Sequence, residues 1–134
     1  MQKNFIAFID RLNEKNMKFM SMDFTKVDLS TLTEEDLVYC DPPYLITCAS
    51  YNEQDGWNET KERELLSLLD ELNERGIRFA LSNVLENKGK TNEILKEWSK
   101  KYTVHHLNNT YGNCNYHAKD KSSNTTDEVL ITNY

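Results

Sequence analysis

The sequence has few of the residues that usually mark loops and cofactor-binding turns. Only four glycines and two prolines occur in 134 residues. The glycines, at positions 56, 76, 89 and 112, stand far apart, and each is typical of a turn or a helix end. This spacing excludes a phosphate-binding P-loop, and no nucleophile elbow is present. Both prolines are adjacent, at positions 42 and 43, which draws attention to that one place.

Cysteine and histidine are also scarce. Cys40, Cys48 and Cys114 are an odd number without Cys-x-x-Cys spacing, which favours reduced thiols of an intracellular protein over a disulfide framework or a zinc site. The three histidines, at positions 105, 106 and 117, lack partners at metal-ligand spacing, so we expect no metal. Neither a signal peptide nor an apolar run of membrane length occurs. We therefore expect a cytoplasmic protein without a membrane partner.

Positive charge is limited, and it is unevenly distributed. The formal net charge of −6 argues at first against a nucleic-acid partner, because phosphate binding relies on Lys and Arg. Residues 1–87 hold 9 basic and 17 acidic side chains, whereas residues 88–121 hold 7 basic and 3 acidic ones. The basic third can face DNA, or its lysines can form the solvated face of a helix; the pattern leaves both readings open.

Periodicity predicts an α/β fold in a single domain, residues 1–134. The predicted helices are 4–16, 59–75 and 91–102, and the predicted strands are 18–22, 37–40, 77–81, 103–107 and 128–133. Asn58 or Thr60 is expected to cap the second helix and Thr91 the third. Ser82 and Asn83 are expected at the carboxyl end of the strand 77–81, either lining a pocket or forming a plain turn. The last two strands are expected to form an antiparallel pair at the sheet edge.

The chain is organised around the strand 37–40 and the four residues that follow it, Asp41-Pro42-Pro43-Tyr44. Proline lacks an amide donor and pushes the preceding residue out of helical conformation, so the strand should stop here. Ligands of open α/β sheets collect at the carboxyl ends of strands, which places Asp41 and Tyr44 in such a crevice. An acceptor, a rigid turn and an aromatic face suit a planar heterocycle with an exocyclic amino group. Turn formation and a partly buried tyrosine anchor are the ordinary alternative.

With this motif the sequence resembles the Dam-like, GATC-type DNA adenine N6-methyltransferases of restriction-modification systems and phages. Asp-Pro-Pro-Tyr is their typical version of a motif at the end of the fourth strand of the catalytic domain. The resemblance extends over nearly the whole chain, through segments 19–24, 45–51, 80–84 and 128–134.

The resemblance implies the C-terminal half of a Rossmann-like, S-adenosylmethionine-dependent methyltransferase fold, with parallel strands and an antiparallel edge hairpin. In this family the first half carries a glycine-rich cofactor loop and most of the target-recognition region. Nothing in this sequence fits that loop, so we expect half an enzyme: a truncated, split or remnant form.

The resemblance also implies roles for individual residues. Asp41, Pro42, Pro43 and Tyr44 would be catalytic, and Asp23, Phe24 and Asp41 would bind S-adenosylmethionine. The polar segment 45–58 would close over the target base, with Tyr51, Asn52 and Trp57 as candidate DNA contacts, or these residues simply pack at the surface. Lys119 and Lys121, in the loop 108–127, are candidate phosphate contacts, unless that loop is disordered.

The implied activity is methylation of adenine N6 in double-stranded DNA, with GATC as the expected site. One alternative is a non-catalytic remnant or partner subunit that does not bind the cofactor by itself; the expected partner of a catalytic form is a separate N-terminal half or a second copy. Methylation of RNA or of cytosine N4 is a further alternative, which the Asp that opens the motif disfavours by family pattern.

Overall fold

A computed structural model of the chain describes residues 2–15, 17–47, 56–107 and 126–134. The helices are α1 (Gln2–Glu14), α2 (Glu59–Glu74) and α3 (Glu93–Trp98), with short 3-10 helices at Phe24–Lys26 and Ser99–Lys101. The strands are β1 (Leu37–Cys40), β2 (Arg78–Asn87), β3 (Lys90–Thr91), β4 (Thr103–Leu107) and β5 (Thr126–Thr132). Within the described ranges, no helix is long and apolar enough to cross a membrane.

The sheet has the mixed topology that the sequence predicts. Its strand order is β1-β2-β5-β4, with the short β3 paired to β2. β1 and β2 are parallel and are joined through α2, whereas β2 with β5 and β4 with β5 are antiparallel. The predicted α/β fold and the antiparallel pair of the last two strands are therefore confirmed.

Helix α2 covers this sheet because its leucines recur on one face. The core cluster includes four leucines of α2, at positions 65, 66, 69 and 72, together with Phe79, Leu81 and Ile131 of the sheet and Leu95 of α3. Asn58 caps α2 by accepting a hydrogen bond from the Lys61 amide, as predicted. Gly76 ends the helix with φ +73°, a conformation that side-chain-bearing residues rarely adopt. The α2 to β2 turn thus fixes where β2 starts beside β1.

Strand β2 is longer than predicted. Ser82 and Asn83 were expected at its carboxyl end, but they lie in its middle, because the strand continues to Asn87 against β5. Val84 and Leu85 are buried in that continuation, which explains why it remains paired. Only residues 78–81 of β2 pair with β1, so Ser82 still lies just beyond the end of β1.

Two further details differ from the prediction. Asn92 rather than Thr91 caps α3, since its side chain accepts from the Leu95 amide, and Thr91 belongs to β3. Residues 18–22 form no strand. Their alternating pattern lacks a neighbouring strand to pair with among the described residues, and Phe19 and Met20 are 82% and 63% exposed.

Helix α1 is present as predicted, but its apolar face is not covered by the described residues. Phe5, Ile6 and Phe8 are each more than half exposed. On β1, Leu37 and Tyr39 are likewise 53% and 61% exposed, and β1 is an edge strand of the described sheet. An unusual amount of apolar surface is therefore exposed on α1 and on the edge strand β1.

Candidate active site

The Asp-Pro-Pro-Tyr segment begins where β1 ends. Cys40 is the last paired residue of β1, opposite Leu81 of β2, and Asp41 follows it with an exposed side chain. The Tyr44 hydroxyl donates a long hydrogen bond of 3.3 Å to Asp41 Oδ1 and lies 3.4 Å from Ser82 Oγ. The structure thus brings Asp41, Tyr44 and Ser82 together at the carboxyl end of β1.

The protonation state of Tyr44 suits a donor. Burial raises the pKa of its hydroxyl, the nearby Asp41 charge adds to that increase, and the Ser82 hydrogen bond opposes it. The hydroxyl therefore keeps its proton at neutral pH and holds the half-buried ring at a fixed place relative to the Asp41 carboxylate. Burial likewise raises the pKa of the Cys40 thiol, so this neighbouring cysteine is a poor nucleophile.

Asp23 and Phe24 lie in a second cluster at the start of a 3-10 helix. Asp23 caps that helix: its Oδ1 accepts from the Thr25 amide at 3.0 Å and from the Thr25 hydroxyl at 2.6 Å. Its other oxygen, Oδ2, lies 3.2 Å from the Lys61 ammonium of α2. Asp23 is therefore an anion held by local hydrogen bonds and by one ion pair.

The ring of Phe24 is bordered by two side chains. The Lys61 ammonium lies 5.5 Å from the ring centroid, and the Trp57 ring centroid lies 5.7 Å away at an angle of 45°. Trp57 is half-buried in this contact, which is the packing alternative to the DNA contact considered for it. Within the described residues, no hydrogen bond or ring contact joins Asp23 or Phe24 to Asp41 or Tyr44, so the two clusters are linked only through the scaffold.

The sequence did not predict a buried carboxylate on α2 that bonds to β2 and to the start of α3. Glu62 is fully buried and accepts hydrogen bonds from Trp57, Asn83 and Asn92. The signal was its position, because Glu62 lies three, four and seven residues before leucines 65, 66 and 69 on the apolar face of α2. An acidic residue within such a stripe needs buried partners.

A cleft of about 430 Å³ borders the segment that follows Tyr44. Its lining comes from residues 45–47, Glu59, and residues 90–94 around the start of α3. Neither Asp41, Tyr44 nor Asp23 is among these lining residues. The cleft is therefore distinct from both clusters.

The basic third of the chain is only partly described. Lys96, Lys100 and Lys101 pair with Glu86, Glu97 and Asp70 of the same chain. These pairs support the solvated-face reading for the three lysines. The candidate DNA contacts Tyr51, Asn52, Lys119 and Lys121 lie outside the described residues. No cluster of three or more potential metal ligands lies in the described ranges.

The pKa of Asp23 gives a direct test of its surroundings. Hydrogen bonds from the Thr25 hydroxyl and amide, and then the Lys61 interaction, lower it to about 2. Because the folded pKa lies below the unfolded value of about 3.9, the stabilisation by this group is complete above that value and is lost as pH falls through 2. NMR titration of the carboxyl carbon should show this midpoint. Thr25→Val should raise the pKa more than Lys61→Met, and a wild-type midpoint near 4 would contradict the described geometry.

Comparison with known proteins gives a consistent family. Residues 1–113 match the family model described as D12 class N6 adenine-specific DNA methyltransferase. The chain is 49% identical over 138 aligned positions to the type II methyltransferase M.FokI of Planomicrobium okeanokoites, and 46% over 140 to the modification methylase StsI of Streptococcus sanguinis. Each alignment covers 100% of this chain and 21% of the relative.

A third relative is more distant. The modification methylase LlaI of Lactococcus lactis subsp. lactis is 38% identical over 132 positions, which cover 95% of this chain and 20% of that protein. The chain thus spans about a fifth of the length of the curated relatives it matches. On the family model and these identities, the chain belongs to the D12 class of N6 adenine-specific DNA methyltransferases.

Proposed function

We propose that this chain carries the base-binding side of a DNA methyltransferase site that transfers a methyl group to adenine N6 in double-stranded DNA. The observation that carries the proposal is the exposed Asp41 carboxylate at the end of β1, linked to the half-buried Tyr44. A carboxylate acceptor beside an aromatic ring is the pair that an aminopurine requires. Family membership makes adenine the expected base.

The chemistry follows from the electronic structure of adenine. The N6 lone pair is delocalised into the ring, so N6 is a weak nucleophile. Hydrogen bonds from N6 to the Asp41 carboxylate and to the Pro42 carbonyl would localise that lone pair and stabilise the positive charge that develops on nitrogen. Pro42 and Pro43 fix the backbone φ angles, which holds the two acceptors in place.

The target base must leave the double helix to reach these groups. Rotating it out costs a few kcal/mol, and stacking on the Tyr44 ring would offset part of that cost. Because Tyr44 is tied to Asp41 and lies against Ser82, its ring would be in place before the base arrives. Transfer is then a direct displacement that needs no enzyme nucleophile, consistent with the raised pKa of Cys40.

The expected methyl donor is S-adenosylmethionine. The second cluster fits its adenine end, because Asp23 Oδ2 makes a single described contact, to Lys61, and so retains lone-pair capacity to accept from an amino group. Phe24 would offer a half-buried ring beside Asp23. Asp41 would lie between the methyl donor and the target base and contact both. When bound, this cofactor supplies the electrophilic methyl group.

The proposed partner is double-stranded DNA, with GATC as the expected recognition sequence. Tyr51 and Asn52 are proposed to contact the DNA near the flipped base, and Lys119 and Lys121 to contact phosphates. All four lie outside the described residues, so this part of the proposal is supported by sequence and family alone.

The site also needs a complementary region. Support comes from the exposed apolar face of α1 and the unpaired edge of β1 in the described sheet. We propose that a region holding the glycine-rich cofactor loop, on the same polypeptide or a separate one, covers this surface; a second copy of the chain is the other candidate. The rival function is a partner subunit that does not bind the cofactor by itself, favoured by the lack of any glycine-rich loop in the 134 residues.

The proposal can be tested by calorimetric titration of the chain with S-adenosylmethionine, with methyl transfer to GATC-containing DNA measured in parallel. The chain should be assayed alone and together with the part of a relative such as M.FokI that the chain does not cover. Transfer in either mixture, localised to adenine N6, would confirm the function. A combination that binds both DNA and cofactor and transfers no methyl group would contradict it and support the rival.

A further inference from the structure

The buried Glu62 has a hydrogen-bonding environment that no element of the proposed reaction requires. Its Oε2 accepts from the Trp57 indole at 2.6 Å, and its Oε1 accepts from the amide nitrogens of Asn83 at 3.2 Å and Asn92 at 3.0 Å. These partners come from three places: the segment before α2, the middle of β2 and the cap of α3. A buried carboxylate needs such donors, because burying a charge without hydrogen-bond partners is strongly unfavourable.

Both asparagines are themselves oriented toward Glu62. Asn83 Oδ1 accepts from the Val84 amide at 2.8 Å, and Asn92 Oδ1 accepts from the Leu95 amide at 3.1 Å. With each side-chain oxygen occupied by a backbone donor, each amide nitrogen faces the carboxylate. No buried side-chain polar atom of the described residues lacks a hydrogen-bond partner. Asn83 and Asn92 thus fix one carboxylate oxygen of Glu62, and the other oxygen holds the Trp57 indole.

Through Trp57, this network reaches the cluster assigned to the methyl donor. The Trp57 ring packs against Phe24, with centroids 5.7 Å apart. Lys61 is the residue before Glu62. Its ammonium group pairs with Asp23 and also lies over the Phe24 ring. The first turn of α2 therefore holds both Asp23 and Phe24 in place through adjacent side chains.

We propose that Glu62 is a positioning residue that shapes the adenine end of the cofactor site by holding Trp57 against Phe24. The inference rests on the proposed function for the identity of the ligand, whereas the link from Glu62 to Phe24 stands on the geometry alone. Glu62 does not contact the ligand in this account. Its carboxylate sets the angle and distance of the indole, which in turn limits where the Phe24 ring can lie.

Glu62→Gln is the sharpest variant, because it keeps the shape of the side chain and removes one acceptor. The NH₂ group of the new glutamine would face an N–H donor of either Trp57 or an asparagine. Two donors would then point at each other without an acceptor between them. We expect the Trp57 indole to lose its fixed position and the affinity for S-adenosylmethionine to fall about tenfold, with a folded protein retained.

The chain offers a matched control on the same helix. Asp70 accepts a hydrogen bond from the indole of Trp98 at 2.9 Å, but it lies two turns further along α2 and contacts neither Asp23 nor Phe24. Asp70→Asn disturbs the same kind of contact. It should lower stability while leaving the affinity for S-adenosylmethionine within about twofold of wild type.

The experiment combines two readouts on the same variants. NMR contacts between the Trp57 and Phe24 rings report the indole position without any ligand. Titration with S-adenosylmethionine, in whichever form of the protein binds it, reports the site. Loss of the ring contact and weaker binding in Glu62→Gln, with neither change in Asp70→Asn, is the expected result.

Three results would overturn the inference. A ring contact that persists in folded Glu62→Gln would show that the carboxylate does not position Trp57, whatever the ligand. A lost ring contact with unchanged affinity would show that this position does not shape the site. If the wild-type protein binds no S-adenosylmethionine in any form, the proposed function fails first, and the cofactor role of Glu62 is rejected with it.

Discussion

Asp41→Ala is expected to lower the rate of adenine methylation by about 10²- to 10³-fold, the range seen when one charge-stabilising partner of a transition state is removed. The carboxylate would accept from N6 as positive charge develops there, so its contribution is greatest in the transition state. The fall should therefore appear in kcat as well as in kcat/KM. Methyl transfer to GATC-containing DNA, in the form of the protein that is active, measures it.

The fold should survive this substitution. Asp41 is exposed, and its described hydrogen bond is the 3.3 Å contact from the Tyr44 hydroxyl, which can still bond to Ser82. We expect the free energy of unfolding to change by less than about 0.5 kcal/mol, as for most surface substitutions. Asp28→Ala is the matched control, because Asp28 is also exposed and its hydrogen bonds within the described part of the chain are local, to Ser30. Full activity in Asp41→Ala would refute the role assigned to the carboxylate.

Local signals were sufficient for much of this architecture. The leucine stripe and the Asn58 cap located α2, and the prolines located the end of β1. These predictions succeeded because periodicity, capping and the missing proline donor act within a few residues. The parallel pairing of β1 and β2 follows from the helix that connects them.

Two of the errors have a different origin, because they depended on partners distant in sequence. Asn83 resembles a turn residue, yet it is buried in mid-strand because Glu62, on α2, accepts from its amide. Residues 18–22 alternate like a strand, yet pairing requires a neighbour that the described sheet does not provide there. Neither the Glu62 network nor the approach of Trp57 to Phe24 can be read from periodicity, since each joins separate elements.

Phe79→Ala should destabilise the protein by about 3–5 kcal/mol, the usual cost of removing a large aromatic side chain from a core. Phe79 is fully buried in β2, its ring lies edge-on to Tyr102 at 5.0 Å between centroids, and Trp98 lies 6.0 Å away. No small rearrangement can fill the cavity, because the main chain of residue 79 is held by β1 and by the Asn133 side chain, which accepts from its amide at 2.8 Å. Urea unfolding of both proteins measures the difference.

Phe19→Ala is the control for this substitution, since the same atoms are removed from a ring that is 82% exposed. It should change the free energy of unfolding by less than about 0.5 kcal/mol. A loss below about 1 kcal/mol in Phe79→Ala would contradict the described core.

The two large effects should be separable in activity measurements. A loss of 3–5 kcal/mol is a large part of the 5–15 kcal/mol that stabilises a typical domain, so Phe79→Ala would lower activity by reducing the folded fraction. Its activity should recover when the temperature is lowered toward the stability maximum or when a saturating ligand is added, because both raise that fraction. Asp41→Ala should not recover under either condition, because its folded state lacks the acceptor. This difference would show that Phe79 of β2 acts on the stability of the fold, whereas Asp41 acts on the methyl transfer itself.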